Sequence, residues 1–232
     1  MEKVPLYPDH SLPPIKQDFR KSFQWRIFRI MAEFVEGFQF IADFKNAVTI
    51  FGSTSFSPKN HYYQEARKLG YLLAKAGYPV ITGGGPGIME AANKGAFEAG
   101  GKSIGINIQL PKGQRINSYV THPIGFYYFF VRKVMLSFSS DAYVFFPGGF
   151  GTLDEFFEMV MLVQTKKLEK RVKIITIGKE YWGTLFNWIK ETVYLRHKAI
   201  KKENLKIFQL VDGAEEAFKI INGNSQRAPQ ED

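Results

Sequence analysis

Apolar residues along this chain recur at two spacings, one typical of helices and one typical of strands. Between residues 19 and 44 they return every three or four positions, which predicts a helix after a proline-rich lead. From residue 46 onward, short apolar runs of strand length alternate with helical segments. The predicted strands are residues 47–51, 78–82, 102–108, 142–146, 172–177 and 207–211, and the predicted helices are residues 62–76, 87–99, 125–138, 152–164, 179–194 and 213–221.

The alternation of strands and helices predicts an α/β fold with a doubly wound, mostly parallel sheet and helices on both faces. An N-terminal extension with one helix, residues 1–45, precedes a single α/β domain, residues 46–222, and a polar tail, residues 223–232. Parallel sheets of this kind bind ligands at the carboxyl ends of their strands, near the point where the strand order reverses. Candidate chemistry is therefore expected where strands end.

The composition narrows the class of protein. The 232 residues suit one large domain, and 45% of them are hydrophobic, with 22 Phe and 11 Tyr. The absence of Cys excludes disulfides, thiolate metal ligands and cysteine nucleophiles, and it fits a reducing compartment. The first fourteen residues contain four Pro and no apolar run, and the longest apolar stretch, residues 125–146, is interrupted by Arg132, Lys133 and Asp141. These features predict a cytoplasmic protein without a membrane span.

The net charge of +9 is concentrated in one part of the chain. Residues 166–206 contain twelve Lys or Arg and four Glu, whereas the remainder contains nineteen basic and eighteen acidic residues. Such a segment suits nucleic acid, a membrane surface or simply a solvated lysine-rich face. Because the chain has no arginine-rich run and no aromatic RNA-binding motif, the solvated face is the favoured interpretation and nucleic-acid binding is not expected.

Three loops rich in small residues follow predicted strands. The first loop is residues 52–57, the second loop is Gly83-Gly84-Gly85-Pro86-Gly87, and the third loop is Pro147-Gly148-Gly149-Phe150-Gly151-Thr152. Glycines let backbone N–H groups surround an anion, and a helix N-terminus adds unpaired donors and the positive end of its dipole. If the dinucleotide-binding motif G-x-G-x-x-G began at Gly83 or Gly149, its third glycine would fall at Ile88 or Asp154, so the motif is absent. No Gly-Lys-Ser/Thr follows either glycine loop, which excludes a Walker-type triphosphate site. The loops therefore predict a site for a monophosphate.

Charged residues next to these loops are candidates for chemistry. Thr152 and Glu155 fit a capping box, in which Glu155 would accept from the N-cap N–H, but a carboxylate beside a phosphate loop can also act on a bound ribose. Arg132 and Lys133 lie in an aromatic helix, so at least one is expected to face a polar cleft. Glu90 follows the second loop, where it either complements the helix dipole or contacts substrate.

The motifs of the second and third loops resemble the two signatures of the LOG (Lonely Guy) family. These are residues 83–92, GGGPGIMEAA, and residues 147–155, PGGFGTLDE, and the similarity extends from Trp25 to Phe218 in the form of the longer bacterial branch. Members are cytokinin riboside 5′-monophosphate phosphoribohydrolases, many of them catalogued as lysine decarboxylases. The resemblance implies a Rossmann-like fold and cleavage of AMP or N6-modified AMP. One departure is Thr54-Ser55, where this branch has Ala-Arg, and it bears on substrate preference.

The resemblance also implies the site residues. Arg132 and Glu155 correspond to the catalytic pair. The predicted substrate-binding residues are Ser53, Gly84, Gly85, Gly87, Met89, Glu90, Lys133, Gly148, Gly149, Gly151 and Thr152. No redox cofactor and no metal are expected. Lysine decarboxylation is rejected because pyridoxal phosphate chemistry needs a Schiff-base lysine, and neither glycine loop contains one.

Two further expectations concern function and assembly. The alternative to an enzyme is a nucleotide-binding carrier or regulator on the same fold, which fold and phosphate loops cannot distinguish from a hydrolase. The resemblance implies a homodimer or a larger homo-oligomer. Residues 126–138 and 156–164 are apolar around much of their circumference, which predicts that these two helices form a two-fold interface.

Overall fold

The computed structural model of the protein describes residues 22–109, 116–168 and 172–223. Its strands are β1 (Val48–Phe51), β2 (Val80–Thr82), β3 (Ser103–Ile108), β4 (His122–Phe126), β5 (Ala142–Phe145), β6 (Lys173–Ile177) and β7 (Phe208–Val211). Its α-helices are α1 (Phe23–Ala42), α2 (His61–Lys75), α3 (Ile88–Glu98), α4 (Phe129–Phe138), α5 (Phe150–Gln164), α6 (Lys179–Trp188) and α7 (Ala214–Asn222). The proline-rich lead, residues 1–21, and nearly all of the predicted tail, residues 224–232, lie outside the described residues.

The strands form one parallel sheet in the order β4-β3-β2-β1-β5-β6-β7. From β1 the chain adds β2, β3 and β4 on one side, and it then returns to place β5 on the other side of β1. The strand order therefore reverses between β1 and β5, and the crevice outside their carboxyl ends is where such sheets bind ligands. The predicted doubly wound α/β fold is confirmed.

Two hydrophobic cores lie on opposite faces of the sheet. One core packs α2, α3 and α7 against the strands through residues such as Leu69, Ala92 and Ala217. The other contains Phe156 and Trp182, and the inner side of α1 packs against it. Because both faces are covered, β1 and β5 are buried at every position. Among the described residues, no helix combines the length and the apolar character needed to cross a bilayer.

Two predicted helices differ from those observed. The helix predicted from residue 125 begins at Phe129, because His122–Phe126 forms β4 beside β3. Pro123 fits this strand because β4 lies at the edge of the sheet, where a missing N–H interrupts no ladder. The helix predicted over residues 179–194 is α-helical only to Trp188 and continues as a π-helix, Ile189–Arg196.

Candidate active site

The three loops meet at the carboxyl edge of the sheet, beside the reversal between β1 and β5. Ser53 joins them through its backbone. Its N–H donates to the carbonyl of Pro147 in the third loop at 3.0 Å, and its carbonyl accepts from the N–H of Ile88, the first residue of α3, at 3.0 Å. The first loop therefore holds the second and third loops together, so that α3 and α5 begin next to the same crevice.

Glycine is required at two positions of the second loop. Gly84 and Gly87 both have a φ of 71°, a left-handed conformation that side chains rarely adopt. A Cβ on Gly87 would also overlap the carbonyl oxygen of Ser53. Gly87 is the N-cap of α3, and no side chain caps this helix. Apart from the N–H of Ile88, which donates to Ser53, the first N–H groups of α3 therefore meet no competition from a capping side chain.

A buried polar network holds the second loop in this shape. The Thr82 hydroxyl accepts from the N–H of Gly84 at 2.9 Å and donates to Asn93 at 2.6 Å. The Asn117 side chain donates to the carbonyl of Gly85 at 3.0 Å, and its N–H donates to the carbonyl of Gly84 at 2.8 Å. Thr82, Asn93 and Asn117 were not predicted as site residues, although a polar Asn93 inside an otherwise small and apolar helix face is a signal of such a network.

The third loop starts α5 two residues earlier than predicted. Gly149 is the N-cap, Phe150 is the first helical residue, and no side chain caps the helix. Glu155 therefore lies six positions after the N-cap, so its expected role in a capping box is wrong. A tetrapeptide of the right composition does not reveal where a helix begins, and here the turn made by Gly148 and Gly149 decides it.

The glycines of the third loop differ in their surroundings. A Cβ on Gly148 would overlap the side chain of Thr152 and lie 3.0 Å from the N–H nitrogen of Ser53, so this glycine permits close packing of the loops. Its carbonyl accepts from the Tyr181 hydroxyl at 2.6 Å. A Cβ on Gly149 or Gly151 would meet no atom within 4 Å. The start of α5 is therefore open on the side of these two glycines.

Arg132 extends from α4 across the second loop. Its Nε donates to the carbonyl of Ile106 in β3 at 2.8 Å, and its Nη2 lies against the place where a Cβ on Gly83 would stand. Burial lowers the pKa of Arg132, whereas the charge of Glu155 opposes that change. A guanidinium keeps its proton in proteins, so Arg132 brings a fixed positive charge to the crevice.

Glu155 is buried, with 8% of its surface exposed. Its Oε2 atom is shielded from solvent and has no hydrogen-bond partner among the described residues. Burial raises the pKa of Glu155 to about 7, although the positive charge of Arg132 opposes the rise. A carboxyl group with a pKa near neutrality can exchange a proton under ordinary conditions, which is the property of a general acid or base.

Two other predicted binding residues, Lys133 and Glu90, have partners of their own, whereas Met89 lies at the site. Lys133 pairs with Asp154 at 2.7 Å and with Glu158 at 3.2 Å. Glu90 accepts a hydrogen bond from the Tyr63 hydroxyl at 3.1 Å. The Met89 sulfur lies near Gly83, on the same side as Arg132. The structure thus groups Arg132, Glu155, Ser53, Met89 and the three loops, whereas the charges of Lys133 and Glu90 are already engaged.

Helix α1 holds the start of the helix that carries Arg132. The carboxylate of Glu33 accepts hydrogen bonds from the N–H groups of Tyr127 and Tyr128 at 3.1 and 3.2 Å, and Tyr128 is the N-cap of α4. The guanidinium of Arg29 lies 4.2 Å from the centre of the Tyr127 ring. Glu33 was not predicted as a site residue, because no local pattern links it to residues more than ninety positions away.

Sequence comparisons relate this chain to a protein family and to named relatives. The family model described as “Possible lysine decarboxylase” matches residues 89–221, more than half of the chain. A relative from Oryza sativa subsp. japonica, “Probable cytokinin riboside 5'-monophosphate phosphoribohydrolase LOGL5”, is 28% identical over 153 residues, which cover 63% of this chain and 60% of that protein. “Cytokinin riboside 5'-monophosphate phosphoribohydrolase LOG1” from Arabidopsis thaliana is 26% identical over 151 residues, covering 63% and 69%.

Solved structures share the fold at low sequence identity. The molybdenum cofactor carrier protein from Chlamydomonas reinhardtii superposes with a TM-score of 0.57 and 22% identity, covering 79% of this chain and 99% of that one. This similarity concerns the fold alone.

Proposed function

The chain belongs to the LOG family, and from this membership we propose that it hydrolyses the N-glycosidic bond of a nucleoside 5′-monophosphate. The substrate in this proposal is AMP or an N6-modified AMP, and the products are the free base and ribose 5-phosphate. The observation that carries the proposal is the buried Glu155 carboxyl group, whose Oε2 finds no partner in the described part of the chain, beside the fixed charge of Arg132. Burying such a group without a hydrogen bond costs free energy, and groups retained at this cost are typical of functional sites.

The starts of α3 and α5 offer a binding place for the 5′-phosphate of the substrate. Helices α3 and α5 both begin at glycine N-caps without capping side chains, and Ser53 holds the two starts together. Their N–H groups and dipoles favour an anion between them. A 5′-phosphate held there puts the ribose over the crevice that Arg132 and Glu155 border. The phosphate then acts as the anchor that positions the reacting carbon.

The reaction follows from the charges at the crevice. Water attacks the C1′ carbon, the bond between C1′ and the base nitrogen breaks, and its electron pair leaves with the base, which takes up a proton from the solvent to balance the one that the water loses. Ionised Glu155 accepts a proton from the attacking water and stabilises the oxocarbenium-like charge on the ribose. Arg132 supports this role because its charge favours the ionised form of Glu155.

A carrier that binds a nucleotide without turnover is the alternative on this fold. The partly ionised carboxyl group favours the hydrolase, because a carrier has no need of a buried Glu155 with a pKa near 7. Lysine decarboxylation gains no support, since Lys133, the lysine next to the site, is already paired with Asp154 and Glu158.

The test compares base release from AMP, an N6-modified AMP and adenosine by liquid chromatography. We expect release from the monophosphates about 100-fold faster or more, because the phosphate supplies binding energy that the reacting centre uses. Glu155→Gln, purified in the same way, controls for contaminating nucleosidases. Equal rates on AMP and adenosine would contradict the phosphate anchor, and AMP binding without base release would favour the carrier.

We also propose that the protein forms a homodimer through α4 and α5. Large apolar side chains are exposed on both helices, among them Phe129, Phe130 and Phe138 on α4 and Phe157 and Met161 on α5. Several large apolar side chains exposed on two helices support an interface there. Because α4 and α5 carry Arg132 and Glu155, the proposed interface lies close to the active site.

A further inference from the structure

A second concave region lies at the edge of the sheet opposite the candidate active site. This basic cleft has a volume of about 1270 Å³ and lies at the amino ends of β6 and β7, next to the ends of α5 and α7. β6 is five residues long, which separates the cleft from the carboxyl edge by about 16 Å. Within the described part of the chain, six lysines line it, namely Lys166, Lys173, Lys198, Lys201, Lys206 and Lys219.

Most of these lysines have no acidic partner among the described residues. Lys173 is engaged, since its Nζ donates to the carbonyls of Ile220 and Ile221 at 2.8 and 2.7 Å. Within the part of the chain that the structure describes, the other five lysines form no ion pair with an acid. Among the described residues of the cleft lining, Glu203 is the one acid. Cations gathered in a concavity repel one another and attract multivalent anions.

The backbone places two of these lysines in an unusual conformation. Lys166 and Lys198 have φ values of 60° and 51°, the left-handed conformation that glycine ordinarily occupies after a helix. Lys166 follows α5, and Lys198 follows the π-helix Ile189–Arg196. π-helical segments are rare and are frequent at functional sites. At both helix ends the chain therefore has a lysine at the cleft where a glycine would fit with less strain.

The lining of the cleft indicates the class of ligand. None of the described lining residues is aromatic, so they offer no platform on which nucleic-acid bases can stack. Lysine ammonium groups are compact charges with three donors each, which suit the oxygens of several phosphates. We propose that the basic cleft binds an oligophosphate chain of three or more phosphates, whether inorganic or attached to a nucleoside. This site is separate from the monophosphate site of the proposed function.

The experiment measures tripolyphosphate binding to the full chain by isothermal titration calorimetry. The test variant is Lys166→Gly/Lys198→Gly, which removes two cations and relaxes the backbone at both positions. The control is Lys59→Gln/Lys75→Gln, which removes the same charge from exposed positions elsewhere. We expect the Kd of the test variant to rise about tenfold or more, with an unchanged or higher Tm, and the Kd of the control to change less than about twofold.

Parallel titrations identify the source of the phosphates and separate the two sites. If the protein binds both ATP and tripolyphosphate and the test variant binds neither, the result supports recognition of the shared phosphate chain. The ligand with the lower Kd then indicates whether the phosphates are inorganic or attached to a nucleoside. An equal loss of affinity in test and control variants overturns the proposal, because it would reflect net charge alone. Displacement of tripolyphosphate by AMP, or tighter binding of single-stranded RNA at the same lysines, also overturns it.

Discussion

Replacing Glu155 with glutamine keeps the shape of the side chain and removes its charge. In the folded protein, burial raises the pKa of this carboxyl group from 4.5 to about 7. The folded state therefore retains a proton that the unfolded chain releases, and stability falls as the pH rises through this window. The difference between the two pKa values corresponds to about 3 kcal/mol of unfolding free energy above pH 7. Glu155→Gln does not ionise, so it avoids this loss.

We therefore expect Glu155→Gln to be more stable than the wild type in mildly alkaline solution. Its advantage in unfolding free energy should grow by roughly 2 kcal/mol between pH 5 and pH 8. Urea denaturation at both pH values measures it, and Glu36→Gln, an exposed change on α1, serves as the control. Base release from AMP should fall about 100-fold or more, while product binding is retained. A variant that gains no stability at pH 8 and releases base at the normal rate would refute the inference that Glu155 is a buried carboxyl group that takes part in catalysis.

Four further measurements test other parts of the site. Arg132→Ala should lower turnover about 100-fold and shift the alkaline rise in activity to higher pH, because its charge no longer lowers the pKa of Glu155. Gly151→Ala should stabilise α5 by up to about 1 kcal/mol, since the added Cβ meets no atom within 4 Å, yet weaken AMP binding if phosphate occupies that space. Glu33→Ala should cost about 1 kcal/mol of stability and lower kcat, whereas Glu36→Ala should change neither. Light scattering at micromolar concentration should report a dimer, and a monomer mass would contradict the interface on α4 and α5.

The glycine loops show which features of the site can be predicted from local sequence patterns and which cannot. Gly84 and Gly87 were recognisable because strand-to-helix turns with left-handed residues require glycine, and the structure gives both a φ of 71°. The position of Glu155 in its helix was not recognisable, because Thr152 and Glu155 fit a capping box by composition alone. The helix instead begins at Phe150, and the packing of Gly148 against Thr152 and Ser53 decides this.

Residues that support the site from a distance had no signal in the sequence. Glu33 is ninety-four positions from Tyr127, and Asn117 is thirty-two positions from Gly85, so neither pair can be recognised from spacing. β4 was predicted as part of a helix because its identity depends on hydrogen bonds to β3. Such partners are chosen by the fold as a whole, since a short apolar run suits a strand or a helix until a neighbour pairs with it.

The sequence by itself determined the alternation of strands and helices apart from β4, the parallel sheet and the glycine loops at strand ends, because periodicity and left-handed turns are local properties of the chain. Tertiary structure alone decided the environment of the charged residues. Burial sets the pKa of Glu155, Ile106 and Gly83 position Arg132, and Asp154 and Glu158 engage Lys133. These properties depend on dielectric environment and on distances between atoms far apart in the chain, which no run of residues encodes on its own.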